Sequence, residues 1–222
     1  MRFDLHVHSN FSDGQDDVKT ILKVAAKKGL NGLAITDHDT LRGMQTARQL
    51  INDLKLELIL LPGVETTTSE GHLIILGIED LPKWKRSVED TIDEAHDLGG
   101  IVVVPHPYHP FRNAIGHIPE CDAVEVYNSK HIFGIANARA RVIAGRRMLP
   151  MVAGSDSHYA ETVGLGVTWI ETEDTDGVIQ AICSGRTRIE GRRTHPKLFV
   201  GNTFKYIYKK AKKKMRGTRR YQ

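Results

Sequence analysis

Cysteines, aromatic residues and long apolar runs are all scarce in this chain, and each shortage removes a class of protein. Two cysteines, Cys121 and Cys183, occur in 222 residues. They read as small buried hydrophobes rather than as a disulfide or a metal knuckle, so a disulfide-stapled secreted fold is excluded. No stretch reaches the roughly 18 to 20 consecutive apolar residues of a membrane helix, and the opening MRFDLHVHSN lacks the basic-then-apolar pattern of an export signal. A cytoplasmic protein without a membrane span is the expectation. Neither GxGxxG nor GxxxxGK[ST] is present, which argues against dinucleotide-binding and P-loop folds. With no internal repeat and no Pro/Gly/Ser-rich linker, residues 1–200 are expected to form one domain.

What is present is an ordinary globular composition, 40% hydrophobic and 26% charged with a mean hydropathy of -0.32. The net charge of +4 suggests nucleic acid until it is placed along the chain. Residues 201–222 hold nine Lys or Arg and no acid, so the first 200 residues carry 22 basic against 27 acidic groups, net -5. The basicity belongs to a C-terminal tail, expected as a separate segment over 201–222. Phe204, Ile207, Tyr208, Ala211 and Met215 recur every three or four residues, which predicts an amphipathic helix over 202–215. It either docks on its own domain or forms a cationic arm for nucleic acid or an anionic surface.

Short apolar or alternating runs recur at helix-sized intervals, at 3–8, 33–36, 56–61, 73–76, 101–104, 123–126, 151–153 and 167–170, and read as strands. Helical patterns lie between them, over 17–28 and 41–54 for example, and Gly29, Gly99 and Gly145 sit where helices would end. Regular alternation of this kind predicts an α/β fold with parallel strands, and a TIM-like (β/α) barrel suits it best.

In the first strand His6 and His8 project from one face while Phe3, Leu5 and Val7 form the other. Alone, the pair fits either a metal site or a polar-faced edge strand. The later strands add to it. The run at 33–36 enters Asp37-His38-Asp39, 58–61 leads into Glu65, 101–104 into His106, and 151–153 into Asp156 and His158. In a barrel these strand ends share one mouth. The stretch 65–72 reads as a hairpin that returns His72 to the same end, and Asp13 follows the first strand in a Ser-Asp-Gly turn. Six imidazoles and three carboxylates exceed what one tetrahedral zinc needs and suit a multinuclear catalytic site. Asp37 and Asp39 read as acceptors for imidazole N–H groups or as a local cap.

DLHVHSNFSDG, ITDHDT, GVE followed by GHLIILG, VPHP and AGSDSH occur in this order at these strand ends. Together they resemble the PHP (polymerase and histidinol phosphatase) superfamily over about residues 2–195. The resemblance implies a distorted seven-stranded (β/α) barrel with a trinuclear centre, at the C-terminal strand ends, that hydrolyses phosphoesters. It implies one ion at His6, His8, Glu65 and Asp156, a second at Glu65, His72 and His106, and a third at Asp13, His38 and His158. Asp13 occupies a position where relatives carry Asp or His, and its hard oxygen favours manganese or iron over zinc there. The expected cofactors are two or three divalent ions of zinc, manganese or iron.

The mechanism this implies is in-line attack by a metal-bridging hydroxide held at Glu65 and Asp156. His109 is a candidate for substrate contact or for protonating the leaving oxygen. Arg112 is a candidate phosphate clamp, the alternative being a solvated loop arginine, and Arg42 and Lys130 are further candidates for binding substrate. His96, His117, His131 and His195 follow no strand and are expected to lie outside the site. The segment 186–193, RTRIEGRR, reads as a charged rim. The expected substrate is a nucleotide or short nucleic acid, with histidinol-phosphate or protein phosphatase activity as alternatives. A different class, a non-catalytic RNA-binding subunit on a similar barrel, has no need of nine metal donors.

Overall fold

A computed structural model describes residues 1–110, 113–131, 134–172 and 174–194. Arg112, His195 and the tail expected as a helix lie outside the described residues. The element order is β1 (Arg2–Val7), α1 (Val18–Lys27), β2 (Gly32–Ile35), α2 (Arg42–Asp53), β3 (Ile59–Leu60), β4 (Gly63–Thr67), β5 (His72–Leu76), α3 (Val88–Asp97), β6 (Ile101–Val104), β7 (Ala123–Asn128), α4 (Ile135–Arg146), β8 (Met151–Gly154), a 3-10 turn (Ala160–Thr162), β9 (Gly166–Ile170), α5 (Gly177–Cys183) and β10 (Thr187–Gly191).

Local chemistry sets several of these boundaries. The Asp17 carboxylate accepts from Thr20 N at 2.7 Å and starts α1, and Ser87 Oγ accepts from Asp90 N at 3.1 Å and starts α3. Gly29 and Gly99 follow those helices with φ of 68° and 78°, left-handed backbone that glycine adopts without cost. The strand expected over 56–61 is only the two-residue β3. Pro62 has no N–H to extend the ladder, so Glu65 sits in a separate strand, β4. The segment read as a charged rim is largely strand: β10 pairs antiparallel with β9 from Thr187 to Gly191. Its charged side chains are those of a sheet edge.

The strands form two five-stranded sheets, ordered β10-β9-β1-β2-β3 and β4-β5-β6-β7-β8. β5 is antiparallel to both of its neighbours, as β9 is to β1 and β10, so the fold is mixed α/β rather than a plain parallel alternation. Two isolated parallel bridges, Val7 with Ser157 and His38 with Glu65, join the sheets where β1 and β2 end. β1 lies in the middle of its sheet and its polar face is buried, with Asp4, His6 and His8 each at most 1% exposed. That excludes the edge-strand reading of the histidine pair.

Alternate residues of β5 and β6 serve two cores. Ile74, Leu76, Ile101 and Val103 pack with Phe3, Leu5 and α5, while Leu73, Ile75, Val102 and Val104 pack against Val88, Ile92 and Ala95 of α3. Both cysteines are free, but only Cys121 is partly buried; Cys183, the last residue of α5, is exposed, contrary to expectation. Among the described residues no helix is long and apolar enough to cross a membrane.

Candidate metal centre

Three of the turns that deliver donors leave ordinary backbone space. Asp39, His106 and Asp156, which follow β2, β6 and β8, have φ of 53°, 32° and 51°. Such conformations cost on the order of 1–3 kcal/mol each and persist only where the surroundings enforce them. The enforcing bonds are visible for Asp39, whose carboxylate accepts from Thr67 N and Thr67 Oγ1, both at 2.7 Å, and whose N–H donates to Glu65 O at 3.0 Å. Asp37 accepts from Ser9 N, Ser9 Oγ and Ser12 Oγ at 2.6–2.7 Å and so pins the loop that carries Asp13. Neither aspartate contacts an imidazole among these bonds. Of the two expected roles, acceptor for an imidazole N–H or local cap, these bonds are of the second kind and anchor loops. A Cβ at Gly43 would lie 1.9 Å from Asp37 Oδ2, which explains a glycine inside α2.

All nine expected donors converge. Their ligand atoms fall into four overlapping groups, each within 4.8 Å: His8, Asp13, His38 and His158; His6, His8 and Asp156; His6, Glu65 and His106; His38, Glu65 and His72. His6, His8, His38 and Glu65 each belong to two of the groups, and Glu65 is the carboxylate among them. Its Oε1 faces His72 Nδ1 at 3.1 Å and His106 Nε2 at 3.3 Å, and its Oε2 faces His6 Nε2 at 3.1 Å, His8 Nε2 at 3.0 Å and His38 Nδ1 at 3.6 Å. On the open side Asp13 approaches His158 Nε2 at 2.8 Å and His38 Nε2 at 3.8 Å. Asp156 Oδ1 lies 3.6 Å from His8 Nε2 and 3.4 Å from His158 Nδ1. Hairpin β4–β5 pairs Thr67 with His72 and returns His72 to the mouth.

The chemistry of this set fits bound cations. The Nε2 atoms of His6 and His8 are 3.1 Å apart and converge on one carboxylate oxygen, so lone pairs exceed protons at that point. Burial, together with the neighbouring His158, pushes the His8 pKa down to about 3 and keeps it the neutral imidazole that a metal requires. Burial opposes charge on His6 too, yet Glu125, Glu65 and Asp156 outweigh it and hold its pKa well above the ordinary value. Burial alone would raise Glu65, but His6 and the imidazole hydrogen bonds hold it well below the usual carboxylate range. The pocket is built for positive charge.

Sequence reasoning missed Glu125. It is buried in β7, its Oε1 lies 3.0 Å from His6 Nδ1, and its Oε2 accepts from His106 N at 2.9 Å and Asn128 Nδ2 at 3.0 Å. The signal was a lone acid in an apolar strand, AVEVYN, where only a buried partner tolerates a charge. Asn128 also donates to Asp156 Oδ2 at 3.2 Å, and Asn113 Nδ2 lies 3.1 Å from His72 Nε2.

The other candidates divide. Lys130 reaches the centre, with Nζ 3.0 Å from Asp156 Oδ1 and 2.6 Å from His158 Nδ1. Arg42 lies over the Phe11 ring, 5.0 Å from its centroid, and lines a cavity with Glu79 and Asp80, whose carboxylates do not suit a phosphate. His109 lies against His131, ring centroids 4.4 Å apart. His131 is buried, and burial pulls its pKa down to about 4; it belongs to none of the donor groups. His96 pairs with Asp122 at 2.8 Å, away from the nine donors, and His117 is exposed.

This arrangement coincides with a match to the PHP domain over residues 4–143, followed by a PHP-associated region over 134–187. The chain belongs to the PHP domain family. It is 38% identical over 152 residues to an uncharacterized protein of Methanocaldococcus jannaschii, covering 62% of this chain and 87% of that protein. It is 37% identical over 100 residues to the phosphoribosyl 1,2-cyclic phosphate 1,2-diphosphodiesterase of Eggerthella lenta, covering 42% of this chain and 37% of the enzyme. Over 81 residues it is 40% identical to the 5'-3' exoribonuclease Rnm of Salmonella typhimurium, covering 35% of this chain and 28% of that one. The PHP chain thus spans well under half the length of either named enzyme. Its fold is shared with a two-domain protein of Bacteroides vulgatus that contains a predicted PHP-like metal-dependent phosphoesterase. The TM-score is 0.73 at 21% identity, over 86% of this chain and 65% of that one.

Proposed function

We propose that this PHP protein is a metal-dependent phosphoesterase acting on a nucleotide or short nucleic acid, with two or three divalent ions held by His6, His8, Asp13, His38, Glu65, His72, His106, Asp156 and His158. The observation that carries the reading is the two-sided Glu65, with imidazoles gathered on each of its oxygens. Bound there, divalent ions supply Lewis acidity toward a phosphoryl oxygen and an activated water. The protein's own part is to hold the imidazoles and ionised carboxylates in place. Lys130 adds a positive charge beside Asp156, toward the charge that develops on a phosphoryl group. His109 is the candidate for returning a proton to the leaving oxygen.

Taken as a ring, β1, β2, β4, β5, β6, β7 and β8 make a distorted seven-stranded barrel, a reading supported by the two parallel bridges that join the sheets. The substrate class is favoured by relatives that include an exoribonuclease and a phosphoribosyl cyclic phosphate diphosphodiesterase.

The test strips the protein of metal and reconstitutes it with manganese, iron or zinc. Each form is then assayed on phosphomonoesters, phosphodiesters, nucleotides, histidinol phosphate and phosphopeptides. At least two ions per chain and turnover restored by one of the metals are expected. Less than one ion per chain, or no turnover on any ester, overturns the reading.

A further inference from the structure

Beside the donor cluster lies an aromatic surface that the chemistry above does not use. Trp84 is one of two tryptophans in the chain and is 60% exposed, in a segment reading Lys83-Trp84-Lys85-Arg86. A bare apolar ring on a surface needs no explanation by itself. This one is held in place. Its Nε1 donates to Asp39 Oδ2 at 3.1 Å, and Asp39 is the residue after His38. The same segment is stitched along the hairpin that carries Glu65 and His72: Lys85 N donates to Thr67 O at 3.1 Å, and Ser69 N donates to Arg86 O at 2.8 Å. Lys85 adopts φ of 58°, an unfavourable conformation for lysine, and its ammonium sits 4.0 Å from the Trp84 ring centroid.

Indole N–H groups are commonly tied down in protein interiors with the ring buried around them. Here the N–H is tied down, the Lys85 ammonium lies over one face, and the residue is still 60% exposed, which fixes an aromatic plane at the rim with a face left for stacking. The second tryptophan shows the contrast: Trp169 donates to Glu190 and lies under Arg2, on the far strand β9, and is only 37% exposed. Arg86 is engaged by Asp90 and Glu94 of α3, so the cation nearest the ring is Lys85. A rigid exposed ring with an ammonium beside it matches a flat heteroaromatic base joined to a phosphate, since bases stack on such rings and the cation meets the negative charge.

We propose that Trp84 is the base-stacking platform of the site, selecting substrates in which a nucleobase lies next to the phosphoester, with Lys85 as its cationic partner. The proposal rests on the phosphoesterase reading and adds its specificity determinant. Stacking on one ring changes affinity by about five- to 150-fold on alanine substitution.

The experiment uses the metal-loaded full chain with Trp169→Phe, so that Trp84 is the single indole fluorophore, and compares adenosine 5'-monophosphate with ribose 5-phosphate. Quenching of Trp84 by the nucleotide and not by the sugar phosphate is expected. Trp84→Ala is expected to lower the preference for the nucleotide over the sugar phosphate, in both Kd and kcat/KM, by at least about five-fold. Trp84→Phe keeps an aromatic face but loses the N–H, and is expected to retain most of that preference. If Phe loses as much as Ala, the indole serves only to brace the hairpin through Asp39 and the platform is rejected. An unchanged preference in Trp84→Ala, in a protein that does hydrolyse phosphoesters, rejects the platform alone. Absence of any phosphoester hydrolysis by the unsubstituted chain rejects the underlying reading and the platform with it.

Discussion

His6 Nδ1 and Glu125 Oε1 meet at 3.0 Å between two side chains that are each about 1% exposed, one from the first strand and one from the seventh. Such a carboxylate fixes which ring nitrogen of the imidazole is left for an ion and makes that nitrogen more basic. Glu125→Gln keeps the shape while removing the charge, and it is expected to weaken metal binding by about 10- to 100-fold. Competition with a chelating dye measures this directly; an affinity equal to that of the unsubstituted chain would refute the role.

His8→Ala and Asp156→Asn are each expected to reduce phosphoester turnover by at least about 100-fold while the far-ultraviolet dichroism spectrum stays native. Neither change removes a large apolar surface, and asparagine tolerates the left-handed φ of 51° at position 156. Near-normal rates in either variant would place the chemistry elsewhere.

Gly154 closes β8 directly against the centre. A Cβ there would stand 2.4 Å from His6 Cβ and 2.6 Å from Glu125 Oε1, and both neighbours are buried. Gly154→Ala is expected to destabilise the fold by about 1–3 kcal/mol and to lower metal affinity as well. Chemical denaturation and dye competition on the same preparation check both; a variant as stable as the parent contradicts the close packing.

Asp17→Ala removes the cap of α1 and is expected to cost about 1 kcal/mol in urea unfolding, with the slope m unchanged. A loss below about 0.3 kcal/mol would mean that water replaces the side chain at Thr20 N without penalty.

Most of this architecture was legible in the sequence because the period-two pattern of β1, the unbroken apolar run of β6 and the period-3.6 patterns of α1 and α3 are strong. Most of the nine donors were legible because they lie at or just past strand ends that share a mouth, although His6 and Glu65 sit inside their strands. What escaped was context. Asp37 and Asp39 flank a histidine in sequence, yet each turns to backbone and hydroxyl groups of another segment. Glu125 was hidden because a strand of six residues shows its inward face only once its partner strand is known. His131 follows no strand, but the turn after β7 folds it against His109. β10 was read as a rim because its charges outnumber its apolar residues, and edge pairing depends on hydrogen bonds that composition does not reveal.

The bridge between Val7 and Ser157 ties the first strand to a residue 150 positions later, and His6 and His8 stand beside it with Asp156 and His158 across from them. During synthesis the N-terminal histidines leave the ribosome long before their last two partners exist. Ions captured early would have only a partial set of donors, so tight loading must wait until the two ends of the domain meet. The complete donor set therefore belongs to the folded domain alone, and binding of ions there is expected to stabilise the fold against unfolding, to a degree that rises with the concentration of metal.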